Sequence, residues 1–175
     1  MTDATATTYA ELFALGVDAA RRKGVAVADP TPPARRACVV NGLNLHFLDW
    51  EGDSRRSMLL LHGALLQAHV WDLFSLDMRR NFHIHALDLP GHGDSHWAPD
   101  GDYSRARVAR DVATLVEQLD LTSLVLVGHS FGGSVAAMVA AQLSDRVRAL
   151  VMLDSTLLPT GQTSIRTLAA TGPQT

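Results

Sequence analysis

The stretch Ser123-Leu124-Val125-Leu126-Val127-Gly128-His129-Ser130-Phe131-Gly132-Gly133-Ser134 decides how this chain folds. Its first five residues, four of them apolar after Ser123, make a run of strand length, and the Ala-rich segment at 131–143 has helical length. A sharp turn at 128–132 must therefore join a buried strand to a buried helix. Gly128-His129-Ser130-Phe131-Gly132 fits the pattern G-x-S-x-G. Geometry explains the residue types: the serine sits on a strained turn, and the glycines remove Cβ atoms that would keep strand and helix apart. Ser130 is thereby thrust up at the C-terminal end of a strand, the edge of an open parallel sheet where ligands bind. Gly133 extends the small-residue set into the helix start. A connector with no chemical duty would not need small residues on both sides of a serine.

Working outward, strands and helices alternate. Cys38-Val39-Val40, a turn at Asn41-Gly42 and the run Leu43–Trp50 read as a hairpin, because Asn-Gly is the strongest short hairpin signal. Ser57–Leu61 is apolar enough to be a strand buried on both faces. A helix around 68–79, a strand at 82–88, a helix at 105–119 with Ser104 as candidate N-cap, and a strand at Val147–Leu153 complete the series. This alternation predicts an α/β fold: a mostly parallel sheet with helices on both faces. Three segments follow: an N-terminal helical extension with a Pro-rich linker at 1–36, a core at 37–157, and a tail at 158–175. In the extension, Tyr9, Leu12, Phe13, Val17 and Ala20 fall at helical spacing, and the expected use of that stripe is packing on the chain's own domain.

Composition narrows the function. At 175 residues with 47% hydrophobic content, the chain is one ordered domain. A net charge of -3 gives no cationic field for phosphate backbones, so nucleic acid is not expected as a partner. Cys38, the single cysteine, excludes an internal disulfide and a cysteine zinc site. With no basic N-terminal leader, the chain reads as cytoplasmic. A hydropathy window would flag 123–143 as a membrane span, but the Gly128–Gly133 cluster in its middle argues against that.

A nucleophilic serine needs donors for the oxyanion it creates. His62-Gly63-Ala64 directly follows the 57–61 strand, which places the Ala64 N–H at the sheet edge where the Phe131 N–H leaves its helix. Asp88-Leu89-Pro90-Gly91-His92-Gly93-Asp94-Ser95 follows the next strand. An HG-x turn, a G-x-G-x-S loop and the G-x-S-x-G turn, in that order from about residue 37 to 157, resemble the α/β-hydrolase superfamily. The resemblance implies a sheet with an antiparallel second strand, Ser130 as nucleophile, the Ala64 and Phe131 amides as oxyanion hole, and Gly128, His129, Gly132, Gly133, His62 and Gly63 as support. It further implies an acid and then a histidine later in the chain. Here the sequence departs from the family, because all 8 histidines lie at or before 129. The chain resembles such a protein cut off just past its sixth strand, with Asp154 as the one acid in register.

Other readings of the histidines compete. His129 and His62 suit turn-stabilising hydrogen bonds, while His92 or His96 could swing toward Ser130 from a loop at the same edge. His83 and His85 share a strand face, but an H-x-H-x-D metal pattern needs its acid at 87, where Leu87 stands, so no metal is expected. A dinucleotide fingerprint fails at His96 and no phosphate loop exists, so no cofactor is expected. The leading function is a serine hydrolase acting on a small ester, thioester, amide or carbon–carbon bond of a small-molecule substrate. The alternatives are a non-catalytic binding module on the same scaffold and a cofactor-free haloperoxidase-like enzyme; a dehalogenase would want a carboxylate at Ser130. Ending at Val147–Leu153 would leave an apolar edge, so self-association is expected. The tail from Thr160 has five threonines and two glycines and reads as the start of a lid or an unrelated end.

Overall fold

The computed structural model describes residues 8–27, 29–52 and 56–155. The tail at 158–175, with its lid reading, lies outside them. Helix α1 (Tyr9–Arg22) begins at a capping box: Thr8 Oγ1 accepts from the Glu11 N–H, and the Glu11 carboxylate accepts from the Thr8 N–H. Strands β1 (Ala34–Val40) and β2 (Leu43–Trp50) form the hairpin, and Asn41 and Gly42 both take positive φ, 49° and 84°, the pair that a tight primed turn demands. Next come β3 (Ser57–Leu61), a short 3-10 turn (Ala68–Trp71), α2 (Asp72–Met78) and β4 (His83–Leu87). Helix α3 (Arg105–Gln118), β5 (Leu124–His129), α4 (Phe131–Gln142) and β6 (Val147–Leu153) complete the described chain.

The strands form one six-stranded sheet in the order β1-β2-β4-β3-β5-β6. β2 is antiparallel to both its neighbours, whereas β4, β3, β5 and β6 run parallel. The out-of-sequence position of β4 follows from crossover connections that carry helices over the sheet faces. Period-two alternation divides each central strand between two cores. Leu59, Leu61, Leu87 and Leu126 face α3 and α4, while Met58, Leu60, Ile84 and Ala86 face α1, the 3-10 turn and α2. Both sets are essentially sealed from water, which explains why β3 and β5 are apolar at consecutive positions rather than at alternate ones.

Helix α1 packs on this domain through Phe13, Val17 and Ala20, with Phe13 5.9 Å from the Trp50 ring centroid. Tyr9 and Leu12 of the same stripe are exposed. The segment after α1 is held by Arg79, whose guanidinium is buried, donates to the carbonyls of Thr31 (2.6 Å) and Glu51 (3.0 Å), and pairs with Asp29 at 3.1 Å. It also lies over the Trp50 ring, 5.6 Å from its centroid.

Several element limits differ from the sequence expectation. β1 starts at Ala34 rather than Cys38: Ala34, Arg35 and Arg36 pair with Asp49, Leu48 and Phe47. Two arginines suit an edge strand, since their charged ends reach water, but they read as linker in one dimension. The helix expected at 68–79 opens as a 3-10 turn, whose first N–H, that of Ala68, is taken by the Asp88 carboxylate (2.7 Å). β5 runs on to His129, since Gly128 and His129 stay in register with Met152 and Leu153. Among the described residues no helix is long and apolar enough to cross a membrane.

Leu60 is wholly buried between the two packed layers. Its replacement by alanine is expected to lower the unfolding free energy by about 3 kcal/mol. Leu15→Ala, at a position that is 62% exposed, changes it by less than about 0.5 kcal/mol. Urea denaturation of both variants checks this.

Candidate active site

Ser130 stands alone between the last residue of β5 and the first of α4, with φ 50° and ψ −116°. For a residue with a Cβ, this conformation costs on the order of 1–3 kcal/mol and persists only where the surroundings enforce it. They do so through the backbone. The Ser130 N–H donates to the Leu153 carbonyl at 2.9 Å, and its own carbonyl accepts from the N–H groups of Gly133 (3.0 Å) and Ser134 (3.2 Å).

The glycines work by close approach. A Cβ on Gly128 would lie 2.6 Å from Gly133 Cα, and one on Gly132 would lie 2.7 Å from the Leu61 carbonyl carbon. A Cβ on Gly133 would collide with the Ser155 side chain, and one on Gly63 would come within 2.8 Å of His129 Nδ1 and 3.3 Å of Ser130 Cβ. Gly128 pairs with Leu61, so the turn His62-Gly63-Ala64 leaves β3 directly beside Ser130. The structure thus brings Ser130, Phe131, His129, Gly128, Gly132, Gly133, His62, Gly63 and Ala64 together at the C-terminal ends of β3 and β5. The Phe131 N–H opens α4 and has no intrahelical acceptor, and Ala64 is exposed on its turn. Asp154 follows β6 at φ 47°, exposed, and makes no hydrogen bond to a histidine among the described residues.

The histidines near this edge hold loops. Buried His62 donates from Nδ1 to the Gly63 carbonyl (2.8 Å) and accepts at Nε2 from the Leu89 N–H (3.1 Å). Burial keeps its pKa below the usual 6.5, with nearby His92 acting in the same direction and the Gly63 carbonyl and Asp88 opposing. His92 donates from Nδ1 to the Pro90 carbonyl (3.0 Å) and accepts at Nε2 from the Leu65 N–H (3.3 Å). One nitrogen thus serves the turn after β3 and the other its own loop after β4, which removes the expectation that it is free to swing toward Ser130. The His96 backbone is tied to Asn44 and Gly91, with its side chain exposed.

Sequence reasoning missed Asp88, the organiser of the loop after β4. Its carboxylate accepts from His46 Nδ1 (2.8 Å), the Ala68 N–H (2.7 Å) and the Asp94 N–H (3.1 Å). Burial opposes ionisation here, but these hydrogen bonds outweigh it and hold the carboxyl below the usual range. A Cβ on Gly93 would strike this carboxylate, which explains that glycine. The one signal in the sequence was a buried-strand exit followed by a loop rich in glycine.

Two hollows of the described surface lie away from Ser130. One of about 530 Å³ is lined by Asn41, Arg107, Asp111, Thr114 and Gln142; the other, about 250 Å³, lies between α1 and α2. Two groups could hold a metal, Asp49 with His83 and His85, and His46 with Asp88 and Asp94. Burial, assisted by His83 and opposed by Asp49, pulls the His85 pKa down to about 4.

Comparison with known proteins agrees with the fold. The family model described as alpha/beta hydrolase fold matches residues 56–170. An esterase of Mycobacterium tuberculosis is 35% identical over 144 residues, covering 82% of this chain and 46% of that protein. The N-formylmaleamate deformylase of Pseudomonas putida is 32% identical over 114 residues, 65% of this chain and 42% of the enzyme. Among solved structures, a putative lipase from Acinetobacter baumannii superposes with a TM-score of 0.68 at 25% identity, covering 89% of this chain and 49% of the lipase. The chain belongs to the α/β-hydrolase family. It spans less than half the length of these relatives.

The His62 shift has a defined pH consequence. Its folded pKa lies below the unfolded 6.5, so as pH falls through 6.5 the unfolded chain takes up a proton that the folded one refuses. The contribution is therefore complete above pH 6.5 and is lost below it, down to the folded pKa. Thermal unfolding across this range is expected to show acid destabilisation, and His62→Gln, although less stable throughout, to show a flatter dependence.

Proposed function

We infer that this chain carries the nucleophile and oxyanion-binding half of a serine hydrolase. Ser130 Oγ attacks the carbonyl carbon of a small ester, thioester, amide or activated carbon–carbon substrate, and its proton passes to a base. The carbonyl oxygen becomes an oxyanion that the Ala64 and Phe131 N–H groups receive. Collapse expels the protonated leaving group and leaves an acyl-serine, which water then hydrolyses. The observation that carries this reading is the enforced strain at Ser130: a positive-φ serine between strand and helix, wedged against the His62-Gly63-Ala64 turn. The names of the esterase and deformylase relatives point the same way.

The base is the part these residues do not supply. No histidine follows Ser130 in the sequence, and the ring nitrogens of His62 and His92 are engaged. We assign the base to residues outside these 175, with Asp154 at the end of β6 as candidate orienter. The same observation favours a second reading, a binding module that holds a small molecule without turning it over.

Loss of the serine or histidine of a full triad costs about 10⁶-fold in turnover, while oxyanion hole and binding alone retain about 10³–10⁴ over water. A fluorophosphonate probe is accordingly expected to label the 175-residue chain slowly and incompletely, and Ser130→Ala to abolish that labelling. Rapid stoichiometric labelling would show that the base is already present. Labelling that survives Ser130→Ala would remove the serine from its role, and hydrolysis of p-nitrophenyl acetate that depends on Ser130 separates the enzyme from the binding module.

β6 closes one side of the described sheet, and Val151 and Leu153 are 41% and 42% exposed. An apolar edge strand is a pairing template. Sedimentation velocity of the 175-residue chain is expected to show association that grows with concentration; a monomer throughout would count against an open edge.

A further inference from the structure

At the end of the sheet opposite to Ser130, β2 and β4 bring together an acid and two imidazoles that the proposed hydrolysis does not use. Asp49 is the direct cross-strand partner of His85, and His83 lies two residues earlier on β4, so all three side chains leave the same face. The two rings stack with centroids 4.5 Å apart. His83 Nε2 donates to Asp49 Oδ1 at 2.6 Å, and one donor atom of each residue lies within 4.8 Å of the other two. In a tetrahedral zinc site with bonds of about 2.0–2.1 Å, donors stand about 3.3–3.4 Å apart, so rotamer adjustments of about an ångström suffice.

Their mutual hydrogen bond accounts for Asp49 and His83 but not for His85. That ring is 94% buried (6% exposed), and its Nδ1 has no hydrogen-bond partner among the described residues. A buried polar atom left without a partner is costly and calls for an explanation. The other metal-capable group also holds a buried nitrogen without a partner, His46 Nε2, but its acids are already engaged: both Asp88 oxygens are filled by His46 and backbone N–H groups, and Asp94 is paired with Arg35.

We propose that Asp49, His83 and His85 form a binding site for one divalent transition-metal ion of the zinc class. Two imidazoles and one carboxylate are the donor set such ions favour, and a fourth position is left for water. The His83 side chain, 35% exposed, gives the ion a path from solvent, while Asp49 and His85 lie deeper. Arg36 Nε stands 3.7 Å from Asp49 Oδ2 and its Nη2 lies 3.3 Å from Glu51, so it orients the carboxylate from behind without adding an unbalanced charge. On binding, the ion takes the place of the Nε2 proton that His83 now donates to Asp49, and that proton passes to solvent. Because the ligands come from two paired strands, the ion ties β2 to β4 and raises resistance to unfolding by mass action.

The test uses the 175-residue chain freed of metal by chelation, with zinc chloride and cobalt chloride as probes. Zinc is expected to bind at one equivalent and raise the melting temperature, and cobalt to give the visible d–d bands of a four- or five-coordinate ion. His83→Gln and Asp49→Asn are each expected to weaken binding by at least about tenfold, whereas His96→Gln, an exposed histidine elsewhere, leaves it unchanged. Absence of saturable binding to the unaltered chain, or equal binding in both ligand variants, would overturn the site. The cobalt spectrum of the unaltered chain decides the matter even where a variant folds poorly.

Discussion

Strand β5 can meet helix α4, and α4 can lie against the end of β3, only because no side-chain carbon stands at Gly128 or Gly132. The helix N-terminus is pressed against the backbone of Leu61 and His62, at distances a Cβ would violate. This contact forces the chain to reverse within a single residue, and Ser130 absorbs the whole cost in its φ. The price is met by backbone hydrogen bonding on both sides, to β6 through Leu153 and to the first turn of α4 through Gly133 and Ser134. The sheet order matters for the same reason: with β3 beside β5, the two loops that flank the serine arise from adjacent strand ends.

A second layer of polar contacts keeps those loops in place. Asp88 anchors the loop after β4 and, through the Ala68 N–H, the start of the 3-10 turn. His62 reaches from the turn after β3 to Leu89, and His92 reaches back to Leu65. The result is a reciprocal lattice in which each loop supplies the hydrogen-bond partner that the other lacks, as buried polar groups require. It also explains why histidine, with one donor and one acceptor nitrogen when neutral, recurs at positions where it does not act as a base.

The strand-turn-helix at 123–143 was legible because everything it needs is local: apolar runs of the right length and glycines at fixed offsets. The alternation of elements and the docking of α1 were legible for similar reasons, since periodicity reports directly on burial. What the sequence hid was contact across strands. His83 and His85 invited a search for an acid further along their own strand, at Leu87, whereas the carboxylate comes from Asp49 on the neighbour. The role of Arg79, which gathers three carbonyls from two separate segments, has no sequence signature at all. The start of β1 is hidden because Arg35 and Arg36 carry charge on an edge where charge is tolerated. Asp88 escaped notice because a single buried acid in a loop looks like any surface acid until its partners are known.

Helix α1 changes what counts as the body of this molecule. Phe13, Val17 and Ala20 belong to the same apolar cluster as Trp50, Leu60 and Ile84, and Arg79 fastens the following residues over Trp50. Loss of α1 would uncover the Trp50 indole, which Phe13 now packs against, at the margin of a face that the 3-10 turn and α2 continue to cover. The stretch that reads as a leader in the sequence is therefore part of the wall of the second core, and its removal would leave an apolar patch around Trp50.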